Sequence, residues 1–335
     1  MTGKKLPSSP LEQIRLVLLD LDGTALLPDE TLSPTLLETL HQLRGRVLYT
    51  FISARSPAML RVFCAQAKIS GPVITYDGAL ILDWNSQRKL DFHPIPSAPA
   101  LHLMDICSRM RLDYTVYTAE HAYLGQHTTR LPRFRHYNAQ AASMGISPVP
   151  CLFFDAYSPD WIAREGVVKI FIENPDEAVR QYLSQELGKS PDLHANCTEG
   201  TCISITSKEA SKESGVRFLC QYLGLAPEQV CVFGDYYNDV GMFHAAGTSV
   251  AMGNAPPDVQ RAAQYVTLPN SQNGVAWFLS QFIAGRRRTI PELFIKFGNA
   301  TTSDKKGTLI MYLSLPIPDK VFGIRSNLWS SWNKR

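Results

Sequence analysis

The chain has 335 residues, 45% hydrophobic and 19% charged, more than one typical domain needs and enough to bury a sizeable core. No apolar run is long enough to cross a bilayer. The formal net charge of +3 is uneven: from Gly285 onward ten Lys/Arg face three Asp/Glu, leaving 23 basic and 27 acidic side chains before it, so the basic character belongs to the tail and gives no reason to expect a nucleic-acid-binding core.

Met1 to Pro10 is polar and basic and lacks the apolar stretch of a secretion signal. The seven cysteines are scattered and show no CxxC spacing, as expected of small buried thiols. Together these features predict a cytoplasmic protein.

The first apolar run, Ile14 to Leu21, is nearly continuous, as suits a parallel strand covered by helices on both faces. Ser33-Pro34 supplies an N-cap and an N1 proline, and Leu36, Leu37, Leu40 and Leu43 follow at helical spacing. A second strand over Val47 to Ile52 stops at Ser53, and Ser56-Pro57 opens another helix. A third strand, Val73 to Tyr76, ends at Asp77-Gly78. Alternating strands and helices imply βαβ units around a parallel sheet.

After about Leu82 the rhythm changes. Aromatic segments at Tyr114 to Tyr117 and Cys151 to Phe154, and a strand over Val167 to Ile172, predict an open, mainly antiparallel sheet with helices on one side. The βα rhythm returns with a helix from about Ser211 to Leu223, a strand over Val230 to Phe233, a helix from Asn238, and short strands at Ser249 to Met252 and Tyr265 to Thr267. The expected organisation is a discontinuous Rossmann-like α/β core over 11–82 and 208–283, an inserted α+β domain over 83–207, and a basic extension over 284–335.

Three core strands place polar residues just beyond their carboxyl ends: Asp20 and Asp22, Ser53, and Asp235. Open parallel sheets bind ligands at that edge. Asp20-Leu21-Asp22-Gly23-Thr24 spaces two carboxylates at period two, and Gly23 lets the backbone turn away. Alone, this segment is equally a turn or a calcium-loop fragment. In Gly234-Asp235-Tyr236-Tyr237-Asn238-Asp239, Asp235 and Asp239 share a face if the helix starts here, although one acidic residue would suffice to cap it. Gathering these carboxylates in one crevice costs about 4 kcal/mol per pair at ~4 Å and an effective dielectric near 20. An oxygen-rich site of this kind suits Mg²⁺, and no His/Cys arrangement competes for a softer metal. Lys212, at a helix start, offers a second positive charge or is an ordinary surface lysine; Arg55 is equally ambiguous.

These motifs, in this order across residues 14–283, resemble the haloacid dehalogenase superfamily, specifically Cof-type phosphatases with a large cap inserted after the third core strand. The matching segments are Asp20 to Thr24, Ser53-Ala54-Arg55, Ser211-Lys212 and Gly234 to Asp239, with Asn254 and Asn273-Gly274 in closing positions. The resemblance implies Asp20 as nucleophile and metal ligand, and Asp22 as general acid/base with its carbonyl on the metal. It implies Ser53 and Lys212 as phosphate-binding residues and Asp235 as a Mg²⁺ ligand, with Asp239 and Asn238 supporting the metal. Asp22 could serve both proton transfers if its anionic neighbours raise its pKa. Ala54 replaces the usual glycine between Ser53 and Arg55, and Asp77 replaces the usual asparagine before Gly78. Alanine restricts the backbone if a positive φ is needed, and an aspartate that touches substrate adds negative charge where an asparagine would donate.

The expected function is Mg²⁺-dependent hydrolysis of a small phosphorylated metabolite, sugar phosphates leading, through a phospho-aspartate. A phosphomutase using the same aspartate, or a silent phospho-ligand-binding relative, are the alternatives. Arg130-Leu131-Pro132-Arg133-Phe134-Arg135-His136 is either an anion-contacting segment of the cap or a solvated basic loop. No nucleic-acid or membrane partner is expected, although the tail, with Arg286-Arg287-Arg288, Trp329 and Trp332, leaves membrane contact open.

Overall fold

The computed structural model describes residues 13–125, 128–154, 158–198 and 202–283; the basic extension over 284–335 lies outside them. The chain opens with β1 (Leu16–Leu19), α1 (Pro34–Leu43), β2 (Leu48–Phe51), α2 (Pro57–Gln66) and β3 (Pro72–Thr75). Next come the short strands β4 (Leu80–Asp83) and β5 (Lys89–Phe92) and helix α3 (Ser97–Arg109). β6 (Tyr114–Thr118), β7 (Ala122–Leu124), α4 (Leu131–Ser143), β8 (Cys151–Phe153), α5 (Pro159–Glu165) and β9 (Val167–Ile172) follow, then α6 (Glu177–Gly188), β10 (Leu193–Thr198) and β11 (Cys202–Ser207). The chain returns through α7 (Lys212–Leu223), β12 (Val230–Gly234), α8 (Val240–Ala245), β13 (Thr248–Ala251), α9 (Pro257–Ala262), β14 (Tyr265–Val266) and α10 (Gly274–Ile283).

Both Ser-Pro helix starts form as the sequence predicts: the Ser33 and Ser56 hydroxyls accept from the backbone N–H groups of Leu36 and Met59. The main sheet runs β14-β13-β12-β1-β2 with every neighbouring pair parallel. Alternation splits its side chains between two cores. Val17, Leu19, Phe51 and Phe233 pack with α1, α2 and α10, while Leu16, Leu18, Val230 and Val232 pack with α7, α8 and α9.

β3 runs parallel to β2 as expected, but only over a short stretch. It meets β2 through a single bridge, Ile52 to Ile74, and otherwise pairs antiparallel with β4 in a three-stranded sheet, β3-β4-β5. Asp77 and Gly78 still arrive at the site edge, because the Asp77 N–H donates to the Ser53 carbonyl at 3.0 Å.

The second large sheet runs β10-β11-β9-β6-β7-β8, antiparallel except for β7 with β8. One face carries Val116, Ile170 and Ile203 against α3, α5 and α6. On β9 the alternation turns Lys169 and Phe171 to the opposite face. The stretch Arg130 to His136 is not a loop but leads into and starts helix α4, whose Tyr137 is buried against α2. The Tyr137 hydroxyl donates to the Ala58 carbonyl at 2.7 Å and accepts from the Val62 N–H at 3.2 Å. It thus bridges two groups that a regular helix would pair directly.

Among the described residues no helix is long and apolar enough to cross a membrane. Tyr137→Phe should lower stability by about 1 kcal/mol: the denaturant midpoint should fall, with the slope of the transition unchanged.

Candidate active site

β1 and β12 are adjacent and parallel, so Asp20 and Asp235 emerge side by side at one sheet edge. The Asp20 N–H donates to the Phe233 carbonyl at 3.1 Å, carrying the strand register into the loop. Residues Leu21–Ala25 then make a wide turn closed by bonds from the Ala25 N–H to the Asp20 carbonyl and from the Leu26 N–H to the Leu21 carbonyl. Gly23 sits at φ +75°, and a Cβ there would lie 2.1 Å from Asp235 Oδ2. Only glycine permits both that conformation and that approach.

Lys212 is the first residue of α7, after a capping box between Ser211 and Ser214. It is not a surface lysine: its side chain is 2% exposed, and Nζ donates to Asp20 Oδ1 and to Asp239 Oδ1, each at 2.6 Å. Burial alone would make its ammonium easier to lose, but Asp20 and Asp239, with Asp77 behind them, outweigh burial and hold the charge.

The helix expected from Asn238 begins later. A single tight turn over Tyr237–Asp239 precedes α8. Asp239 is fully buried, and its Oδ2 accepts from the backbone N–H groups of Asp235 and Tyr236 at 2.8 and 2.9 Å. Asp235 Oδ1 accepts from Thr24 Oγ1 at 3.0 Å, and Asn254 Nδ2 lies 3.4 Å from Asp235 Oδ2. Burial, then the charge of Asp239, pushes Asp235 up to about 7. Burial also raises Asp20, with Asp239 and Asp235 adding to it against the pull of Lys212. Oxygens of Asp20, Asp235 and Asp239 all lie within 4.8 Å of one another.

This set fits a hard cation. The donors are all carboxylate oxygens, and three acidic groups face one ammonium. Each of the three offers one carboxylate oxygen to such a cation; Asp239 also accepts from Lys212 and from two backbone N–H groups, and Asp20 from Lys212.

Asp22 goes elsewhere. Its carboxylate is gripped by Arg55, with Nε on Oδ2 at 2.9 Å and Nη2 on Oδ1 at 2.5 Å. Burial would raise its pKa, but the Arg55 hydrogen bonds and charge, with Arg133 and Lys212 further off, hold it below the usual value. The expectation that anionic neighbours raise Asp22 is therefore corrected: the turn after Asp20 directs the second carboxylate away from the acidic cluster and into a guanidinium fork.

Ser53 is fully buried, its hydroxyl accepting from the Arg55 N–H at 3.1 Å. Ala54 needs no positive φ. The left-handed conformations fall instead on Tyr76 and Asp77, at φ 50° and 57°. Asp77 Oδ1 accepts from Asn238 Nδ2 at 2.9 Å, so Asn238 and Asp77 join the edge formed by Ser53 and Lys212.

Sequence reasoning gave no part to Glu30 or Lys169. Glu30 Oε2 accepts from Arg55 Nη2 at 3.0 Å, and nothing in its local sequence marks it. Lys169 had a signal, as the one charged residue in the otherwise apolar Val-Val-Lys-Ile-Phe-Ile strand. Away from these groups, His121 Nδ1 lies 3.0 Å from Glu165 Oε1.

A family model for haloacid dehalogenase-like hydrolases matches residues 17–279. The chain is 26% identical over 275 residues to the 5-amino-6-(5-phospho-D-ribitylamino)uracil phosphatase YitU of Bacillus subtilis, covering 80% of this chain and 97% of that protein. It is also 26% identical over 268 residues to the pyridoxal phosphate phosphatase YbhA of Escherichia coli, covering 79% and 97%. A haloacid dehalogenase-like hydrolase structure from B. subtilis superposes with a TM-score of 0.69 at 25% identity, over 80% of this chain and 99% of that one. The chain belongs to the haloacid dehalogenase-like hydrolases, among the capped Cof-type members, and is a hydrolase of the phosphatase class.

Gly23→Ala should push the turn off Asp235 and lower activity at least about a hundredfold, the scale on which ~1 Å misplacements act; steady-state rates on any accepted ester will show it. Lys212→Met leaves two buried carboxylates without their counter-charge and should cost about 3–5 kcal/mol of stability, measured by denaturant unfolding in chelator.

Proposed function

We propose that the protein is a Mg²⁺-dependent, cytoplasmic phosphatase that hydrolyses small phosphomonoesters through a phospho-aspartyl intermediate on Asp20. The observation that carries this reading is the placement of Lys212 Nζ at 2.6 Å from Asp20 Oδ1, with the oxygens of Asp20 and Asp235 in one crevice at the sheet edge. Asp20 and Asp235, with the Asp22 carbonyl, would hold Mg²⁺, which when bound supplies the positive charge that a dianionic phosphate needs beside three carboxylates. Lys212 and the Ser53 hydroxyl would bind phosphate oxygens, while Asp239 and Asn238 keep Lys212 and Asp77 in position.

In the first step an Asp20 oxygen attacks phosphorus, the ester P–O bond breaks, and the leaving oxygen takes a proton from Asp22. Water then attacks the acyl phosphate, Asp22 takes its proton, and inorganic phosphate and free Asp20 result. Asp22 must exchange Arg55 for the leaving oxygen and arrive there protonated, taking that proton from solvent or from the monoanion of the ester; substrate entry therefore loosens the fork. The sheet of β6 to β11, within 83–207, acts as the cap that walls the leaving group from water. That the two relatives named above act on phosphorylated small molecules supports this substrate class.

A panel of metabolite phosphoesters scored by phosphate release tests the reading. Activity should vanish in chelator, return with Mg²⁺, and fall at least about a thousandfold in Asp20→Asn. A folded Asp20→Asn protein with full turnover would sink it.

A further inference from the structure

Asp77 stands at the junction of core and cap with one oxygen unused. Its side chain is 4% exposed. Oδ1 accepts from Asn238, but Oδ2 is buried with no hydrogen-bond partner. Across from it, from the cap strand β9, Lys169 Nζ lies 3.7 Å from Oδ2 and donates to the Ala54 carbonyl at 3.1 Å. Lys169 is 5% exposed. The pair therefore connects the two loops that hold Ser53 and Asp77 to the cap, beside the phosphate edge. At 3.7 Å it is a charge pair, longer than a hydrogen bond.

The other cap cations near the site are matched in the same way. Arg133 Nη2 lies 3.8 Å from Asp22 and 3.9 Å from Glu30, and Arg130 Nη1 lies 2.7 Å from Glu173. Arg130 also lies 3.9 Å over the Phe171 ring, on the face of β9 that carries Lys169. Among the described residues, Lys169, Arg133 and Arg130 each meet a carboxylate. A wall built this way offers hydrogen bonds to a leaving group but no net charge to a second anion.

Resting on the phosphatase reading above, we propose that Asp77 neutralises Lys169 to set the charge preference of the leaving-group side, so that the enzyme selects phosphomonoesters with an uncharged, hydroxyl-bearing leaving group over those carrying a second anion. Asp77 acts here as a specificity residue through Lys169. Removing its charge should take one negative charge from beside Lys169 and so favour a leaving-group anion; removing the lysine should leave a buried carboxylate that repels one. The two changes push selectivity in opposite directions, which loss of a purely structural contact cannot do.

Glycerol 3-phosphate and 3-phosphoglycerate form a matched pair, differing by a hydroxymethyl group against a carboxylate. Their ratio of kcat/KM is the readout. The wild-type protein should favour glycerol 3-phosphate. Asp77→Asn should lower the ratio at least roughly tenfold and Lys169→Met should raise it, while the double variant returns to within about threefold of wild type. If Lys169→Met does not fold, by thermal unfolding, Lys169→Gln carries the same expectation. A wild-type preference for 3-phosphoglycerate, or single variants that shift the ratio together or not at all, would overturn the proposal. Phosphate release from neither ester, nor from any member of the wider panel, would instead overturn the phosphatase reading on which it rests.

Discussion

One buried ammonium organises the site. Lys212 is 2% exposed and holds Asp20 and Asp239 at 2.6 Å each. Two carboxylates that close could not share a dry edge without it. The two aspartates belong to loops separated by more than two hundred residues of chain, so the contact also fixes how the returning segment meets the first strand. β1 and β12 pair in register, which sets the strand ends level. Lys212 then draws the loops inward, and the Asp235 and Tyr236 N–H groups bind Asp239 from behind.

What Lys212 leaves undone is also informative. One positive charge against Asp20, Asp235 and Asp239 is not balance, and Asp235 rises to about 7 as burial and Asp239 act on it. The backbone is shaped around this deficit. Gly23 lets the turn come within contact of Asp235, and Gly78, at φ +101°, lets the Asp77 loop approach the Ser211 carbonyl, which a Cβ would meet at 2.1 Å. Both glycines serve close approach of one motif to another, so neither position tolerates a side chain for reasons that its own loop would reveal.

Much of this was legible because the relevant signals are local. Near-continuous apolar strands, Ser-Pro helix starts and polar residues at strand ends can all be read within a few residues, and they locate Asp20, Ser53 and Asp235 at one edge. What stayed hidden depends on partners far away in sequence. Period-two spacing placed Asp20 and Asp22 on one side, but Leu21–Ala25 is a wide turn, not strand. Arg55, 33 residues on, decides where Asp22 points. The burial of Lys212 likewise depends on Asp20 and Asp239 at separations of 192 and 27 residues. β3 read as a full strand of the parallel sheet because its apolar run is right; it keeps the parallel direction at the bridge between Ile52 and Ile74, while its other edge pairs antiparallel with β4, which local sequence does not announce.

The cap meets the core chemistry through both packing and charge, and the two have different consequences. Tyr137 and Phe134 lie in the core cluster that also holds Phe63 and Leu60 of α2, a contact that is indifferent to what occupies the site. Arg133 and Lys169 instead reach Asp22, Glu30 and Asp77, groups that border the phosphate edge. Charge acts over longer range than packing and responds to any ion that enters. On the proposed reading, a phosphate arriving at Lys212 would add negative charge beside every one of these pairs. On that reading the same residues would both shape the leaving-group wall and respond to a filled site, whereas the packing of α4 on α2 carries no charge to respond with.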